Sequence, residues 1–323
     1  MSRPPAELAS WTRLASVRRR RPSGYAALLS GQAAQEQLAL LDEAQAKQLI
    51  SVCAAALSLY PAWERRTWMM PEPEAALTAH GGRFLDLDTL AARLGSVRHV
   101  AGRHSYLHAP SGLTFAAYQS APGGVSLLLG GVNSSHSESQ AKTFPAEVRQ
   151  IEASVLNLIG RVPHLYRAAD LLTLLARDEV QADLTVSGHS LGGGLAQYAG
   201  LMNGLKVLAF SPVALGRGVL ALLSRLDRLA DAPGLLEQVQ SISLEGDPIP
   251  LIGTRWFRSS GVGLRLRLPL FPGLPPARHA TSHGRIYSHL LAHLQRRWPQ
   301  LPSALDGEQA TATEGQPGLS SPD

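Results

Sequence analysis

One cysteine, Cys53, is all that the 323 residues contain. No intrachain disulfide can form and no cysteine-based metal site can be assembled, a usage that fits a reducing compartment. Long apolar runs are missing as well: nowhere do eighteen apolar residues follow one another, which argues against a transmembrane helix. The N-terminal stretch MSRPPAELASWTRLASVRRRRPSGY places its arginines after a mildly apolar part and has no proper hydrophobic core. That order is the reverse of a secretory signal peptide, so the expected location is the cytoplasm, or an exported state reached without a conventional signal. Lysine is scarce. Only Lys47, Lys142 and Lys206 stand among thirty basic residues, so arginine carries nearly all of the positive charge behind the net +5. With heavy use of Ala, Leu, Gly and Pro this reads as the composition of a GC-rich genome, and no recognised nucleic-acid-binding motif accompanies the charge. No nucleic-acid partner is expected.

What is present is an apolar chain: 45% hydrophobic and 17% charged residues, long enough for a sizeable core. Residues 1–36, rich in Arg, Pro, Ser and Gln, read as a basic, flexible extension, and the block Arg18 to Arg21 as a solvated tail or an element that touches anionic membrane. From Gln37 to Tyr60 the spacing of Leu, Ile and Ala predicts a helix. Short strands are expected in HSYLHA, LTFAAYQS and VSLLLGG, then helices over 145–158 and 163–176. Further on, strands in ADLTVSGHS, LKVLAFSP and VQSISLEGD alternate with helices from Leu191 and around 219–229. Such alternation predicts an α/β fold with a mostly parallel central sheet and helices on both faces, preceded by an N-terminal helical region. VGLRLRLPLF has the period-two pattern of a strand with one wet face, and a last helix is expected in HGRIYSHLLAHLQRRW. The organisation is then one domain over 37–300, its core about 103–297, with a disordered tail over 301–323.

GHSLG, Gly188 to Gly192, matches G-x-S-x-G between an apolar strand and a helix. A nucleophile elbow requires that context: the turn is so sharp that the positions two before and two after the serine must be nearly free of side chain. Ser190 is then raised at the strand end, with helix N-terminal N–H groups aimed at developing negative charge. A serine hydroxyl needs a base, and the base needs an orienting group. In the chain order of such sites the acid and the histidine both lie downstream. Asp247, just past a strand in SLEGDPIP, is the candidate acid, with Glu245 second and Asp227 and Asp231 in or after a helix. His283, at a loop-to-helix junction, is the candidate base, with His279 competing. His289 and His293 read as surface residues of the last helix, and His189 as packing beside the nucleophile.

VSGHSLGGGLAQYAGL resembles the elbow of class 3 lipases and of related lipase-like α/β-hydrolases among bacterial phospholipase effectors. EGDPIP is similar to their D-x-V-P acid motif, HGRIYSHLLAHL to their terminal histidine segment, and LLLGGVNSS to the strand and turn that supply the second oxyanion donor. The resemblance covers about 105–294. It implies an α/β-hydrolase fold and a serine esterase or lipase with Ser190 as nucleophile, Asp247 as acid and His283 as base. It further implies that the backbone N–H groups of Val132 and Leu191 hold the oxyanion, and that no metal or organic cofactor is required. Val132 stands where the family has Thr or Ser, so the hydroxyl is lost unless Asn133 or Ser134 supplies a donor. Arg255, Trp256, Phe257 and Arg258 lie between acid and base; aromatic side chains that enter a lipid interface beside phosphate-binding guanidinium groups make a lipid ester, phospholipid among them, the expected substrate and membrane-surface contact an expected partner. The same residues would serve a thioesterase or acyltransferase, and the fold also has room for a non-catalytic binding protein.

Overall fold

The structure, a computed structural model, describes residues 26–61, 77, 79–121, 123–136, 144–180, 183–230, 232–252, 254, 258–272 and 283–302. In β6 (Val125–Leu129) and β8 (Lys206–Phe210) successive side chains point to opposite faces of one sheet. Leu127 and Leu129 enter one core with Val207 and Ala209, whereas Leu128 enters a second core with Phe210. Both faces are covered, and the strands therefore read as unbroken apolar runs.

The other strands are β1 (Ala26–Ser30), β2 (Arg83–Leu85), β3 (Val97–His99), β4 (Tyr106–His108), β5 (Leu113–Gln119), β7 (Leu184–His189), β9 (Val239–Leu244) and β10 (Gly263–Leu268). Their order across the sheet is β1, β10, β9, β8, β7, β6, β5, β4, β3, with β2 beside β5. Every pairing from β6 to β1 is parallel, and every pairing from β6 outward through β5 is antiparallel. One face carries α3 (Asp88–Leu94), α5 (His164–Glu179), α6 (Leu191–Asn203), α7 (Arg217–Arg225) and α8 (Ala232–Gln238), with α4 (Phe144–Leu158) beside them. The opposite face carries α1 (Gln32–Leu38), α2 (Glu43–Ser58) and α9 (Ile286–Gln295). A parallel sheet led by antiparallel strands, covered on both faces and turning sharply from β7 into α6, is an α/β-hydrolase fold.

Two expectations change at the N-terminus. The helix predicted over 37–60 is α2 preceded by the last two residues of α1, because Asp42 caps α2: its carboxylate accepts the Gln45 N–H at 2.8 Å, and the Gln45 side chain accepts the Asp42 N–H at 3.1 Å. This reciprocal pair is a capping box, and it starts a new helix at Glu43. The boundary at residue 36 falls inside α1, since the chain already pairs with β10 from Ala26 and packs Ala27 and Leu29 on the second core. Nothing in AALLS announces an edge strand; its pairing partner lies more than 200 residues away. Residues 1–25, with the arginine block, lie outside the described residues. From Leu49 to Leu57 every residue of α2 is buried, so the N-terminal helices are part of the domain's core rather than an appendage. At the other end Leu301 is buried, and 303–323 lie outside the described residues. In β10 the alternation holds but the second face is not wet: Leu264, Leu266 and Leu268 are buried, while Arg265 and Arg267 are half-buried on the other face. Among the described residues no helix is long and apolar enough to cross a membrane.

Candidate active site

Ser190 joins β7 to α6 with φ 59° and ψ −126°, a backbone conformation that side-chain-bearing residues rarely adopt and that persists only where the surroundings enforce it. Here they do. The Ser190 N–H donates to the Phe210 carbonyl at 3.1 Å, and the Ser190 carbonyl accepts from Val213 N–H at 3.0 Å and Gly194 N–H at 3.2 Å. The two flanking glycines meet a steric demand. A Cβ on Gly188 would come within 2.5 Å of the Gly192 carbonyl, and one on Gly192 within 2.0 Å of the Leu129 carbonyl oxygen. Backbone atoms on both sides leave no side chain to yield. Gly192→Ala is therefore expected to destabilise the fold by more than ~2 kcal/mol, read as a lower urea midpoint at unchanged m-value; an unaltered midpoint would contradict the tight elbow.

Of the acids considered from sequence, Asp247 meets a histidine. Its Oδ2 accepts from His283 Nδ1 at 3.1 Å and its Oδ1 accepts the Ile249 N–H at 2.9 Å, with the residue 3% exposed. Burial pushes this carboxyl up, but the His283 hydrogen bond and charge, with Ser211 and the Ile249 N–H adding to them, outweigh it and hold Asp247 below its ordinary value. Glu245 is half-buried at the end of β9, Asp227 sits in an exposed turn with φ 54°, and Asp231 lies outside the described residues. A carboxylate only accepts, so His283 carries its proton on Nδ1 and presents a basic Nε2. His279 lies outside the described residues.

His283 is tied to the residue beside the serine. The His189 and His283 rings lie 4.4 Å apart, centroid to centroid. His189 Nε2 donates to the His283 carbonyl at 3.0 Å, which leaves Nδ1 to accept from the Tyr60 hydroxyl at 3.1 Å. Burial first, and His283 second, push the His189 pKa down to about 3. His189 is thus a neutral strut between the elbow, the His283 loop and the end of the N-terminal helical region. Tyr60 carried no signal in the sequence, because a tyrosine ending an apolar helix looks like any core residue.

The turn after β6 lies directly against the elbow: a Cβ on Gly131 would reach the His189 carbonyl oxygen at 3.0 Å, and one on Gly192 the Gly130 carbonyl carbon at 2.9 Å. Val132, half-buried, sits on this turn, and Leu191 opens α6, whose first-turn N–H groups have no intrahelical acceptor. Ser134 does not replace the lost hydroxyl. Its Oγ donates to the Gly131 carbonyl at 2.6 Å and is fully buried, and the Asn133 N–H is taken by Gln150 Oε1 at 3.0 Å. Arg103 fixes the same turn, donating to the Ser134 carbonyl at 3.1 Å and to the Leu59 carbonyl.

Three of the remaining candidates, Arg255, Trp256 and Phe257, lie outside the described residues; Arg258 is exposed with φ 54°. His289 and His293 are not surface residues. They are 1% and 7% exposed and hold the 269–271 segment, His289 Nδ1 accepting the Phe271 N–H at 2.9 Å and His293 Nε2 donating to the Pro269 carbonyl at 2.8 Å. Among the described residues no three His, Cys, Asp or Glu side chains group as metal ligands would.

Neither a protein-family model nor a curated protein sequence matches the chain. Among solved structures it is similar to a lipase from Rhizopus microsporus var. chinensis, with 12% identity, 66% of this chain and 70% of that one covered, and a TM-score of 0.37. It is also similar to Lip2 lipase from Yarrowia lipolytica (10% identity, 84% and 93% covered, TM-score 0.39) and to Rhizomucor miehei lipase in its propeptide complex (9%, 79% and 80%, TM-score 0.41). With TM-scores below 0.5 these likenesses carry no argument, and the chemistry open to the site follows from its own residues: a serine on a strained elbow, and buried Asp247 bonded to His283, whose ring packs on His189.

Proposed function

We propose that the protein is a serine hydrolase of carboxylic esters, acting on lipids through Ser190, His283 and Asp247. The observation that carries this reading is the 3.1 Å pair of His283 Nδ1 and buried Asp247, with the His283 ring packed on the neighbour of Ser190. His283 Nε2 takes the Ser190 proton as Oγ attacks the ester carbonyl, and Asp247 stabilises the imidazolium. The oxyanion is received by the N–H groups of Leu191 and Val132. His283 then protonates the leaving alcohol, and water repeats the sequence on the acyl-enzyme. His189 cannot compete as base, since it is held neutral and both its ring nitrogens are engaged. Without a hydroxyl at Val132 or a free one at Ser134, neither residue adds a side-chain hydroxyl to the oxyanion, and loss of one such donor is worth ~3 kcal/mol of transition-state stabilisation. Turnover is therefore expected to be slow for a hydrolase of this kind, not absent.

The lipid part of the reading is supported by the sequence resemblance and by the run RWFR at 255–258. Phospholipid is the expected substrate. Hydrolysis of phosphatidylglycerol, phosphatidylcholine, triacylglycerol and short p-nitrophenyl esters, each with Ser190→Ala as control, tests it. Ser190-dependent release of fatty acid from the phospholipids is expected; activity on the short esters alone would remove the lipid claim, and no Ser190-dependent release from any of them would remove the hydrolase.

A further inference from the structure

Helix α4 is inside out. Its inward face is Ala146, Gln150, Ala153 and Asn157, all buried. Its outward face is Val148, Ile151 and Val155, continued by Ile159 one residue past the helix, and these are 44–51% exposed. A helix of a water-soluble domain ordinarily turns its aliphatic stripe to the core and its polar side to water. Here the buried amides are structural. Gln150 accepts the Asn133 N–H at 3.0 Å and donates to the Gly112 carbonyl at 2.9 Å; Asn157 donates to the Ala214 carbonyl at 2.9 Å and accepts the Gly216 N–H at 2.8 Å. Rolling the helix to bury its aliphatic stripe would strand these groups without partners. The orientation is therefore fixed, and the stripe stays outside.

The surroundings of the stripe are cationic. Arg149, half-buried beside Val148, has Nη1 donating to the Ala109 carbonyl, Arg161 follows Ile159, and exposed Arg217 lies over Gly160, where a Cβ would meet its Nε at 2.5 Å. Against them α4 exposes Glu152, while Glu147 is paired with His136 at 3.1 Å. On the neighbouring α5, Leu171 and Leu174 are exposed as well.

We propose that the outer face of α4, with Val148, Ile151, Val155 and Ile159 flanked by Arg149, Arg161 and Arg217, is the surface by which the protein docks on anionic lipid. Helices that lie in a lipid interface combine an aliphatic face with arginines that reach phosphate groups, and their binding scales with the apolar area buried. The same helix, through Gln150 on its inner side, holds the turn that carries Val132. The choice of lipid over an acidic protein rests on the hydrolase reading given above.

The test is co-sedimentation of full-length Ser190→Ala protein, which leaves the vesicles intact, with vesicles of phosphatidylcholine and with equal parts phosphatidylcholine and phosphatidylglycerol. Binding to the anionic vesicles is expected. The combined change Val148→Ser, Ile151→Ser, Val155→Ser and Ile159→Ser should lower the partition coefficient more than about tenfold, and Arg149→Gln with Arg161→Gln and Arg217→Gln should flatten its dependence on salt. Leu40→Ser, at an exposed leucine elsewhere, should change it less than about twofold. Circular dichroism and hydrolysis of a soluble ester by the same stripe substitutions on a wild-type background report folding and chemistry. Absence of binding, or equal partitioning of the folded stripe variant, overturns the proposal. So does a dimer of the wild type in sedimentation velocity that the stripe variant loses, since the face would then join two copies. Inert Ser190 together with stripe-dependent vesicle binding would remove the hydrolase and keep the surface.

Discussion

Asp247→Asn is expected to lower kcat on a short soluble ester by about 10³–10⁴-fold, with KM changed little and the fold intact. The amide is nearly isosteric with the carboxylate, so the loop keeps its shape. Its NH₂ group can occupy the Oδ2 position and turn His283 into the tautomer whose proton is on Nε2. That nitrogen then has no lone pair for the Ser190 proton. The carboxylate also stabilises the imidazolium in the transition state, and the neutral amide does not. Glu245→Gln, two residues away but not in contact with His283, is the comparison: it should leave kcat within about twofold. Equal losses in the two variants would mean that Asp247 does not orient the base.

Acid should unfold the protein steeply. His80 and His289 are each pushed down to about 4 by burial, and His189 to about 3. In the unfolded chain all three take protons near pH 6.5. Between that pH and 4 the unfolded state therefore binds more protons than the folded one, and stability falls as pH falls. Each histidine contributes up to ~3 kcal/mol over this window, so that even partial additivity consumes much of the stability of an ordinary domain. Asp247, whose folded value is lowered, adds a loss of the same sign at still lower pH. Urea midpoints measured from pH 8 to 4 should be flat above pH 7 and drop below 6.5. A His289→Gln variant, which keeps a hydrogen-bond acceptor for the Phe271 N–H, should lose part of the slope. A flat profile to pH 4 would contradict the neutral, buried state of these rings.

The elbow was legible because it depends on short spacing. Gly188 and Gly192 flank Ser190 because backbone atoms crowd both positions, and a five-residue pattern carries that demand. The pairing of Asp247 with His283 followed from chain order, with Asp247 just past a strand end and His283 at a loop-to-helix junction. What could not be read depends on distant partners. Tyr60 reaches His189 across 129 residues, β1 pairs with β10 from the opposite end of the chain, and neither leaves a periodic trace. The aliphatic spacing at 148, 151, 155 and 159 was visible, but its direction was not. A helix with Val and Ile on one side and Gln and Asn on another is assumed to bury the former, and only the bonds made by Gln150 and Asn157 reverse that assumption. The capping box at Asp42 is a local Asp-x-x-Gln pattern that the longer apolar periodicity around it masks.

The most direct measurement is labelling by a fluorophosphonate probe, with the modified residue located by mass spectrometry, in wild type, Ser190→Ala and His283→Ala. One adduct is expected on Ser190 in the wild type, none in Ser190→Ala, and a rate lowered by about 10³-fold or more in His283→Ala. A folded wild type that takes no label, or labelling that survives Ser190→Ala unchanged, would contradict Ser190 as an activated nucleophile.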